Sequence, residues 1–419
     1  MKVKYIISLL SLLPALITAQ FTIHNLNDSN NGYYVTEIVT TDDGVMVATR
    51  GENILCQYDG SAWIKYDYDT FGFNGDTGIS APSDLKVDGD GNYWLAYRST
   101  IDIFDGSEVT ALTASNSELQ SDNVRALAFD AEGTGFFAYM NSSGISIRRD
   151  GVWTHDNEHQ ADLAPLNNIF RASLVEYDTV NDLIWIYDGG DLYKVTGESA
   201  TVYTWADGLP SLSSDDITAM AVTTDGKVWF SINDNSFENG GLLTFDGVSW
   251  EHITSANSDL PDDDISVIAT DGNNIFVGGV ASKQISYYDG SQWTTYTEEN
   301  SNYPDIGLNY YYDMAVWENR LYVGTSGGVV EMDLSMITST TKEYPQSKLT
   351  MGPNPVIDLL TISSKVAVTK MEVFNYLGQK MGSQFDSQPI DFSVLPSGIY
   401  LVKVTFIDGK TEVHEVVKP

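Results

Sequence analysis

Two histidines and several acidic runs are the residues whose types and spacing could do chemistry in this sequence. His155 and His159 flank a short run with an acidic residue on each side of Asn157, and such side chains can bind zinc. No further histidine lies nearby, so a solvated loop is the favoured interpretation. The run from Asp88 to Asn92 begins like a calcium loop, but its twelfth position is a serine instead of the glutamate that calcium needs. We therefore expect a tight turn there, and no metal and no cofactor in the protein.

Carboxylates could also do catalytic chemistry. The acidic runs at 215–216 and 262–264 precede apolar segments and are interpreted as solvated loops, with calcium or a cationic partner as the alternative. Paired carboxylates around a central funnel could cleave glycosides, so an extracellular hydrolase or lyase acting on polysaccharide or peptide remains an open alternative. No local catalytic motif accompanies these acids. We predict no catalytic residues and a protein that is not an enzyme.

The charge of the chain restricts its partners. The 419 residues carry a formal net charge of -36, and residues 20–347, with 13 basic and 51 acidic residues, carry -38. Such a surface repels nucleic acid and anionic lipid. Cys56 is the single cysteine, so no disulfide forms within the chain.

The first nineteen residues are typical of a secretory signal. Lys2 and Lys4 precede an apolar run that is too short to span a membrane, and Ala19 offers a small residue for cleavage. We expect Gln20 to begin the mature protein, with no transmembrane segment in the chain.

A repeat of about 45 residues organises most of the sequence. An Asp-Gly pair recurs at these intervals, and a degenerate copy surrounds Gly197. This period matches one four-stranded blade of a β-propeller. The pairs begin at Asp59, Asp105, Asp150, Asp246 and Asp289.

The internal order of each copy predicts four strands. A first strand alternates and ends at a polar turn, and a second strand is bulky on both faces, as packing between blades requires. A third strand ends before the Asp-Gly turn, and the fourth carries a Trp in several copies. The first strands are expected near 34, 83, 124, 171, 217, 265 and 313. The seventh copy lacks a fourth strand, and the segment 21–29 resembles one. We therefore predict an all-β fold in which residues 20–334 form a seven-bladed propeller closed by the N-terminal strand, with eight blades as the main alternative.

The remaining sequence predicts a second, smaller unit. Residues 335–347 have no apolar period and are interpreted as a linker. Short alternating strands then recur through 348–419, which favours a small immunoglobulin-like β-sandwich.

The repeat resembles the two-component-regulator propeller family. The segment Gly241–Trp250 matches its blade consensus of Gly-Leu, an aromatic residue before Asp-Gly, and a Trp, and 257–261 matches the Asn-Ser-x-Leu-Pro that follows. In that family such propellers are often the sensory ectodomains of hybrid histidine kinases. This chain departs from the pattern because it contains no kinase domain.

The tail resembles the type A C-terminal sorting domain of the type IX secretion system. Four motifs fall in order: 352–355, 373–378, 395–402 and the final Val-Val-Lys. The resemblance implies export across the outer membrane through the type IX secretion machinery, followed by release or attachment to the cell surface. The residues that carry the sorting motif are Gly352, Pro353, Asn354, Pro355, Gly398, Tyr400 and Lys418.

Two sets of connections differ in length across the predicted propeller. First-to-second and third-to-fourth turns are tight, whereas the connections on the opposite face are long and variable. Binding residues concentrate on loops that a rigid scaffold holds. Aromatic side chains on this loop-rich face could stack on a sugar or grip a peptide, although each could instead cover a blade end. The candidates are Tyr68, Phe71, Phe73, Trp205, Phe237, Tyr303 and Tyr310.

Together these patterns predict a secreted or cell-surface monomer that binds an extracellular glycan or protein without catalysis. A structural or adhesive surface component is a further alternative.

Overall fold

A computed structural model describes residues 20–26, 34–50, 53–73, 81–140, 144–155, 161–197, 199–207, 209, 217–232, 240–279, 284–297, 301, 303–304, 310–338, 349–364, 368–375, 379–385, 389–406 and 411–419. The predicted signal segment lies outside these residues. The chain divides into two compact units, Met1–Ile337 and Thr338–Pro419.

Strands of the first unit form four-stranded antiparallel sheets. Strand β1 is Gln20–His24. The first sheet contains β2 (Tyr34–Thr41), β3 (Gly44–Arg50), β4 (Asn53–Tyr58) and β5 (Trp63–Asp67). The second contains β6 (Asp84–Val87), β7 (Tyr93–Ala96), β8 (Ile101–Phe104) and β9 (Val109–Leu112). The third contains β10 (Val124–Phe129), β11 (Gly135–Tyr139), β12 (Ile145–Arg149) and β13 (Val152–Thr154).

Three further sheets repeat this order. The fourth contains β14 (Leu174–Asp178), β15 (Leu183–Asp188), β16 (Asp191–Thr196) and β17 (Ser199–Tyr203). The fifth contains β18 (Ile217–Val222), β19 (Val228–Ile232), β20 (Gly241–Phe245) and β21 (Trp250–Ile253). The sixth contains β22 (Val267–Thr270), β23 (Ile275–Gly278), β24 (Ile285–Tyr288) and β25 (Trp293–Tyr296). Short helical turns lie at Tyr68–Phe71, Ala161–Asn168, Trp205–Asp207 and Ser335–Thr338.

The last sheet of the first unit joins the two ends of that unit. It contains β26 (Tyr311–Trp317), β27 (Arg320–Thr325) and β28 (Gly328–Asp333), and β1 is its fourth strand. Gln20 pairs with Asp333 and His24 with Val329. His24 Nε2 also lies 2.7 Å from Glu331 Oε2. The predicted pairing of the N-terminal strand is therefore present, and it covers the edge that β28 would otherwise expose.

The first strands of the sheets contact one another in a closed cycle. Contacts link β2 to β6, β6 to β10, β10 to β14, β14 to β18, β18 to β22, β22 to β26, and β26 back to β2. The second strand of each sheet is covered by the neighbouring sheets on both of its faces. All residues of β7, β19 and β23 are buried. This position explains why these strands are bulky on both faces. Burying each large apolar side chain contributes about 1.5–3 kcal/mol.

The Asp-Gly repeat forms one kind of turn between third and fourth strands. Asp59 Oδ1 accepts hydrogen bonds from the backbone N–H groups of Ser61 and Ala62, both at 2.8 Å. Gly60 has a φ of 89°, a backbone conformation that residues with a Cβ atom rarely adopt. Asp105, Asp246 and Asp289 cap their turns in the same way.

The second unit contains two sheets. One is formed by β29 (Leu349–Gly352), β30 (Leu359–Ser364) and β33 (Ile390–Asp391). The other has the order β32 (Lys380–Phe385), β31 (Val368–Asn375), β34 (Gly398–Phe406) and β35 (Thr411–Lys418). Residues of both sheets meet in one apolar core that includes Leu360, Met371, Val402 and Val404.

Candidate functional site

A cavity of about 250 Å³ opens where the first strands of the first unit begin. Its walls include residues of β2, β6, β10, β14, β18, β22 and β26. The long connections between successive sheets enter the first strands at this end, so the cavity lies on the predicted loop-rich face. The second-to-third connections on this face vary in length, from the two residues of 51–52, 189–190 and 326–327 to the eight residues of 233–240. The fourth-to-first connections provide most of the variable chain.

A lysine occupies the centre of the charge network in this cavity. Lys86 Nζ lies 2.7 Å from Glu176 Oε1 and 3.2 Å from Asp84 Oδ1, so the lysine joins the second sheet to the fourth. Burial by itself lowers the pKa of an ammonium group. The carboxylates of Asp84 and Glu176 outweigh that effect and hold the pKa of Lys86 well above its usual value.

Two aspartates in the cavity also connect neighbouring sheets. Asp313 Oδ2 accepts a 2.6 Å hydrogen bond from the Ile38 backbone N–H, and Asp84 Oδ2 accepts one of 2.7 Å from Leu127 N–H. Burial is the largest cause that raises the pKa of both carboxyls, and it brings that of Asp313 to about 7. Both aspartates thus stabilise the contacts between sheets.

Two cavity groups have no such partner. Within the part of the chain that the structure describes, the Glu37 carboxyl forms no hydrogen bond or ion pair, and the buried Ser173 hydroxyl oxygen has no hydrogen-bond partner. Burial, and then the neighbouring Asp313 carboxylate, raise the pKa of Glu37 well above its usual value. Glu37 and Ser173 are therefore the groups that a ligand could still satisfy.

Tyrosine rings lie at the mouth of the cavity. Tyr312 lines it and stacks on Tyr310, with ring centroids 6.3 Å apart and 23° between the planes. Tyr34 meets Tyr312 edge-on at 5.8 Å, and Arg50 lies over the Tyr34 ring. Tyr310 remains 49% exposed and Tyr312 36% exposed. We call Tyr34, Tyr310 and Tyr312 the tyrosine rim.

The seven aromatic candidates fall into different environments. Phe73 and Tyr303 are buried in apolar cores, with 1% and 5% of their surface exposed, and their role as ligand contacts stays a prediction. Phe71 is half-buried and packs edge-on against Tyr66 and Phe104. Among the candidates whose side chains the structure describes, Tyr310 belongs to the tyrosine rim. Phe237 lies outside the described residues, as do the side chains of Tyr68 and Trp205.

The charged groups of the cavity were not predicted from the sequence. Glu37, Lys86, Glu176 and Asp313 stand at inward positions of first strands, where apolar residues were expected from the alternating pattern. One signal in the sequence could have indicated them: several first strands carry a charged residue at a position where the alternating pattern has an apolar one. Nothing in the linear sequence shows that these charges converge.

The segments that were considered for metal or cation binding, and for which no metal was expected, have structural partners where they are described. His155 Nδ1 lies 2.8 Å from Ser146 Oγ, and Asp88 caps its own turn through Asn92. Asp263 accepts hydrogen bonds from Ser255. His159 and the run 215–216 lie outside the described residues. Within the described ranges, no group of three or more His, Cys, Asp or Glu residues is arranged to hold a metal ion.

The sorting motif forms the junction between the two ends of the second unit. Asn354 Oδ1 accepts a 2.8 Å hydrogen bond from Val417 N–H, and Lys418 Nζ donates to the carbonyl oxygens of Ile357 and Phe392. The buried Tyr400 donates through its hydroxyl to Pro396 O at 2.7 Å. The separated motifs therefore meet in the folded unit, although their role in sorting stays a prediction.

Comparison with solved structures identifies the fold of the first unit as propeller-like. Virginiamycin B lyase from Staphylococcus aureus is similar with a TM-score of 0.57 and 12% identity, over 75% of this chain and 99% of the lyase. The extracellular domain of a B. thetaiotaomicron protein assigned to a hybrid two-component system gives 0.56 and 15%, over 96% of this chain and 58% of that chain. These identities support the all-β fold alone. Comparison with curated protein sequences gave no match.

The C-terminal residues identify how the protein is delivered. Residues 350–418 match the secretion system C-terminal sorting domain. PorZ of Porphyromonas gingivalis, a surface component of the type IX secretion system, is similar in structure with a TM-score of 0.54 and 15% identity, over 93% of this chain and 60% of PorZ. The sorting domain implies export by the type IX machinery to the outside of the cell. No helix among the described residues is long and apolar enough to cross a membrane.

Proposed function

We propose that the protein is an exported, non-catalytic propeller that binds an extracellular glycan through the tyrosine rim and the cavity below it. The seven described sheets of the first unit are then the seven blades, and the second unit is an immunoglobulin-like sandwich used for sorting. Residues 1–19 act as the signal peptide, and the mature protein works as a monomer. Attachment to the cell surface and free release both remain compatible with this function.

The tyrosine rim is the observation that carries the proposal. Exposed large apolar side chains on the described loop-rich face are aromatic: Phe170, Tyr310 and Tyr312. On the tight-turn face the corresponding residues are Val152, Val180 and Val248. Rings beside polar cavity groups suit a sugar, which needs both a flat apolar surface and hydrogen-bonding partners. An apolar protein-docking surface would include aliphatic neighbours.

The network around Lys86 supports a non-catalytic role. Asp84 and Glu176 bind the lysine, and Asp84 and Asp313 also accept backbone hydrogen bonds, so most cavity carboxylates already stabilise the fold. The alternative of a hydrolase or lyase is favoured by a different observation, the raised pKa of Glu37, since a protonated carboxyl can act as a general acid. Turnover of a bound glycan, abolished in Glu37→Gln, would establish that alternative.

A glycan array with the mature full-length protein tests the proposal. We expect binding that Tyr310→Ala and Tyr312→Ala each weaken at least tenfold, because each ring presents a stacking face. Val248→Ala is the matched control, since Val248 is 90% exposed on the opposite face. Equal loss in the control, or binding to a protein array alone, would contradict the proposal. Absence of any ligand on both arrays would favour a structural or adhesive surface component.

A further inference from the structure

The cavity below the tyrosine rim has an excess of acidic groups. Four carboxyl side chains line it, and they face two basic ones, Lys86 and Arg125. Burial in a low-dielectric space disfavours the ionised form of a carboxyl, and a ligand of opposite charge relieves that cost. The lining acids are Glu37, Asp84, Glu176 and Asp313.

The partners of these groups indicate where a ligand would bind. Lys86 is engaged by Asp84 and Glu176 at 3.2 and 2.7 Å, and the Asp313 carboxylate receives the Ile38 N–H. Glu37 is the cavity acid without a hydrogen bond or ion pair among the described residues. The Ser173 hydroxyl oxygen, also without a described partner, is a second polar group that lines the cavity. A small cation with neighbouring hydroxyl groups would satisfy both.

Two observations favour an organic cation over a metal ion. The described residues contain no cluster of ligands with metal-binding geometry. Tyr312 lines the cavity and is 36% exposed, its ring stacks on Tyr310, and aromatic faces attract ammonium groups and sugar rings alike. The volume of about 250 Å³ exceeds what a few water molecules need, and fits one small ligand group.

We propose that the cavity selects a glycan with a free amino sugar, whose ring lies on the tyrosine rim while its ammonium group pairs with Glu37. This inference rests on the proposed glycan binding and adds the chemical class of the terminal sugar. N-acetylation converts the basic amine into a neutral amide and leaves the sugar ring intact, so it removes the ammonium group that Glu37 would bind.

Proton balance is compatible with this pairing. Burial and Asp313 keep the pKa of Glu37 well above its usual value, so the empty cavity favours the protonated carboxyl. A neutral amine that enters takes the proton from Glu37 Oε, which leaves an ammonium group beside a carboxylate. An amine that arrives protonated forms the same pair when Glu37 releases its proton to water. One proton is shared by the pair in either case.

Isothermal titration calorimetry with two probes tests the inference. The probes are the β-1,4-linked glucosamine tetramer and its fully N-acetylated counterpart, each titrated into the mature full-length protein. We expect the free-amine tetramer to bind at least tenfold more tightly. Glu37→Gln should reduce this preference to about twofold or less, because the amide keeps the shape and loses the charge. Glu251→Gln is the control, since Glu251 is exposed on β21 and does not line the cavity.

The outcomes separate the inference from the function on which it rests. Equal affinity for the two tetramers, or a preference unchanged in Glu37→Gln, overturns the amino-sugar selection and leaves glycan binding intact. Binding of neutral glycans alone has the same meaning. Binding of no glycan in any assay overturns both proposals. Circular dichroism of each variant confirms that a lost preference does not reflect unfolding.

Discussion

Lys86 is the residue whose removal should most clearly expose the role of the cavity charges. Lys86→Met keeps the length of the side chain but leaves Asp84 and Glu176 without their cation. Breaking a buried ion pair typically costs about 3–5 kcal/mol. We expect about 2–3 kcal/mol here, because Lys86 keeps 21% of its side-chain surface exposed. Urea unfolding of the two proteins at pH 7.5 measures this difference.

Lys227→Met is the control for that measurement. Lys227 lies 3.7 Å from Glu251, whose side chain is 67% exposed, and such surface pairs contribute less than about 1 kcal/mol. The loss caused by Lys86→Met should also shrink as the pH falls toward 5, since protonated carboxyls no longer need a cation. Equal effects of the two variants at every pH would contradict a central role for Lys86.

Asp313 should make the stability of the protein depend on pH. Burial raises its pKa to about 7, whereas an unfolded aspartate titrates near about 4. The folded protein therefore holds a proton that the unfolded chain has released, and this contribution to stability declines as the pH rises from about 4 to about 7. Asp313→Asn has no carboxyl group at this position, so it does not take up that proton on folding. Its stability relative to the parent protein should improve by about 2–4 kcal/mol across this window, at about 1.4 kcal/mol per pH unit.

Urea unfolding at half-unit steps of pH measures the Asp313 effect. Asp225→Asn is the control: the Thr223 hydroxyl lowers the pKa of Asp225, so this carboxyl is ionised in both the folded and the unfolded protein above about pH 4, and its difference from the parent protein should stay flat across the window. A flat difference between Asp313→Asn and the parent protein would show that Asp313 titrates normally.

At the scale of single elements, the glycines of the repeat have two distinct functions. Gly247 follows Asp246 with a φ of 92°, and a Cβ built there meets no atom within 4 Å. Gly241 begins β20 with a φ of 108°, and its Cβ would lie 2.4 Å from the Ile253 carbonyl oxygen. Gly247 therefore permits a turn, whereas Gly241 permits close approach of two strands.

Alanine substitution should separate these two glycines. Gly247→Ala incurs the cost of a left-handed conformation, about 1–2 kcal/mol. Gly241→Ala incurs a similar cost and must also move the backbone of β21, which adds about 1–3 kcal/mol. Thermal unfolding of the two variants should therefore show a clearly larger decrease in Tm for Gly241→Ala. Equal decreases would mean that β20 and β21 separate without cost.

Strands were easier to predict from this sequence than loops. The predicted first strands near 34, 83 and 124 agree with β2, β6 and β10, because period-two alternation and Asp-Gly turns are local signals. Whether an aromatic ring in a long connection is buried depends on neighbours distant in sequence. Phe73 enters a core with Phe104, whereas Tyr310 stays exposed beside Tyr312. Composition does not distinguish these two outcomes.

At the scale of the whole molecule, the cavity and the sorting domain use separate parts of the chain. The cavity forms only when first strands from across the first unit come together, so its charges could not be predicted from any single repeat. The sorting motif could be predicted, because its segments keep their order and spacing. The export route was thus easier to predict from the sequence than the chemistry of the ligand.

Removal of residues 338–419 should abolish export without unfolding the first unit. The two units have separate apolar cores, and the truncation after Ile337 keeps all the strands of the first unit. We expect the truncated protein to accumulate in the periplasm. The thermal transition of its first unit should lie within about 2 °C of the value in the full-length protein. Cell fractionation and calorimetry measure the two properties.

A carrier protein fused to residues 338–419 and a signal peptide is the reciprocal control and should be exported. Export of the truncated protein at the full-length level would refute the sorting role, whereas a lost thermal transition would show that the first unit depends on the second.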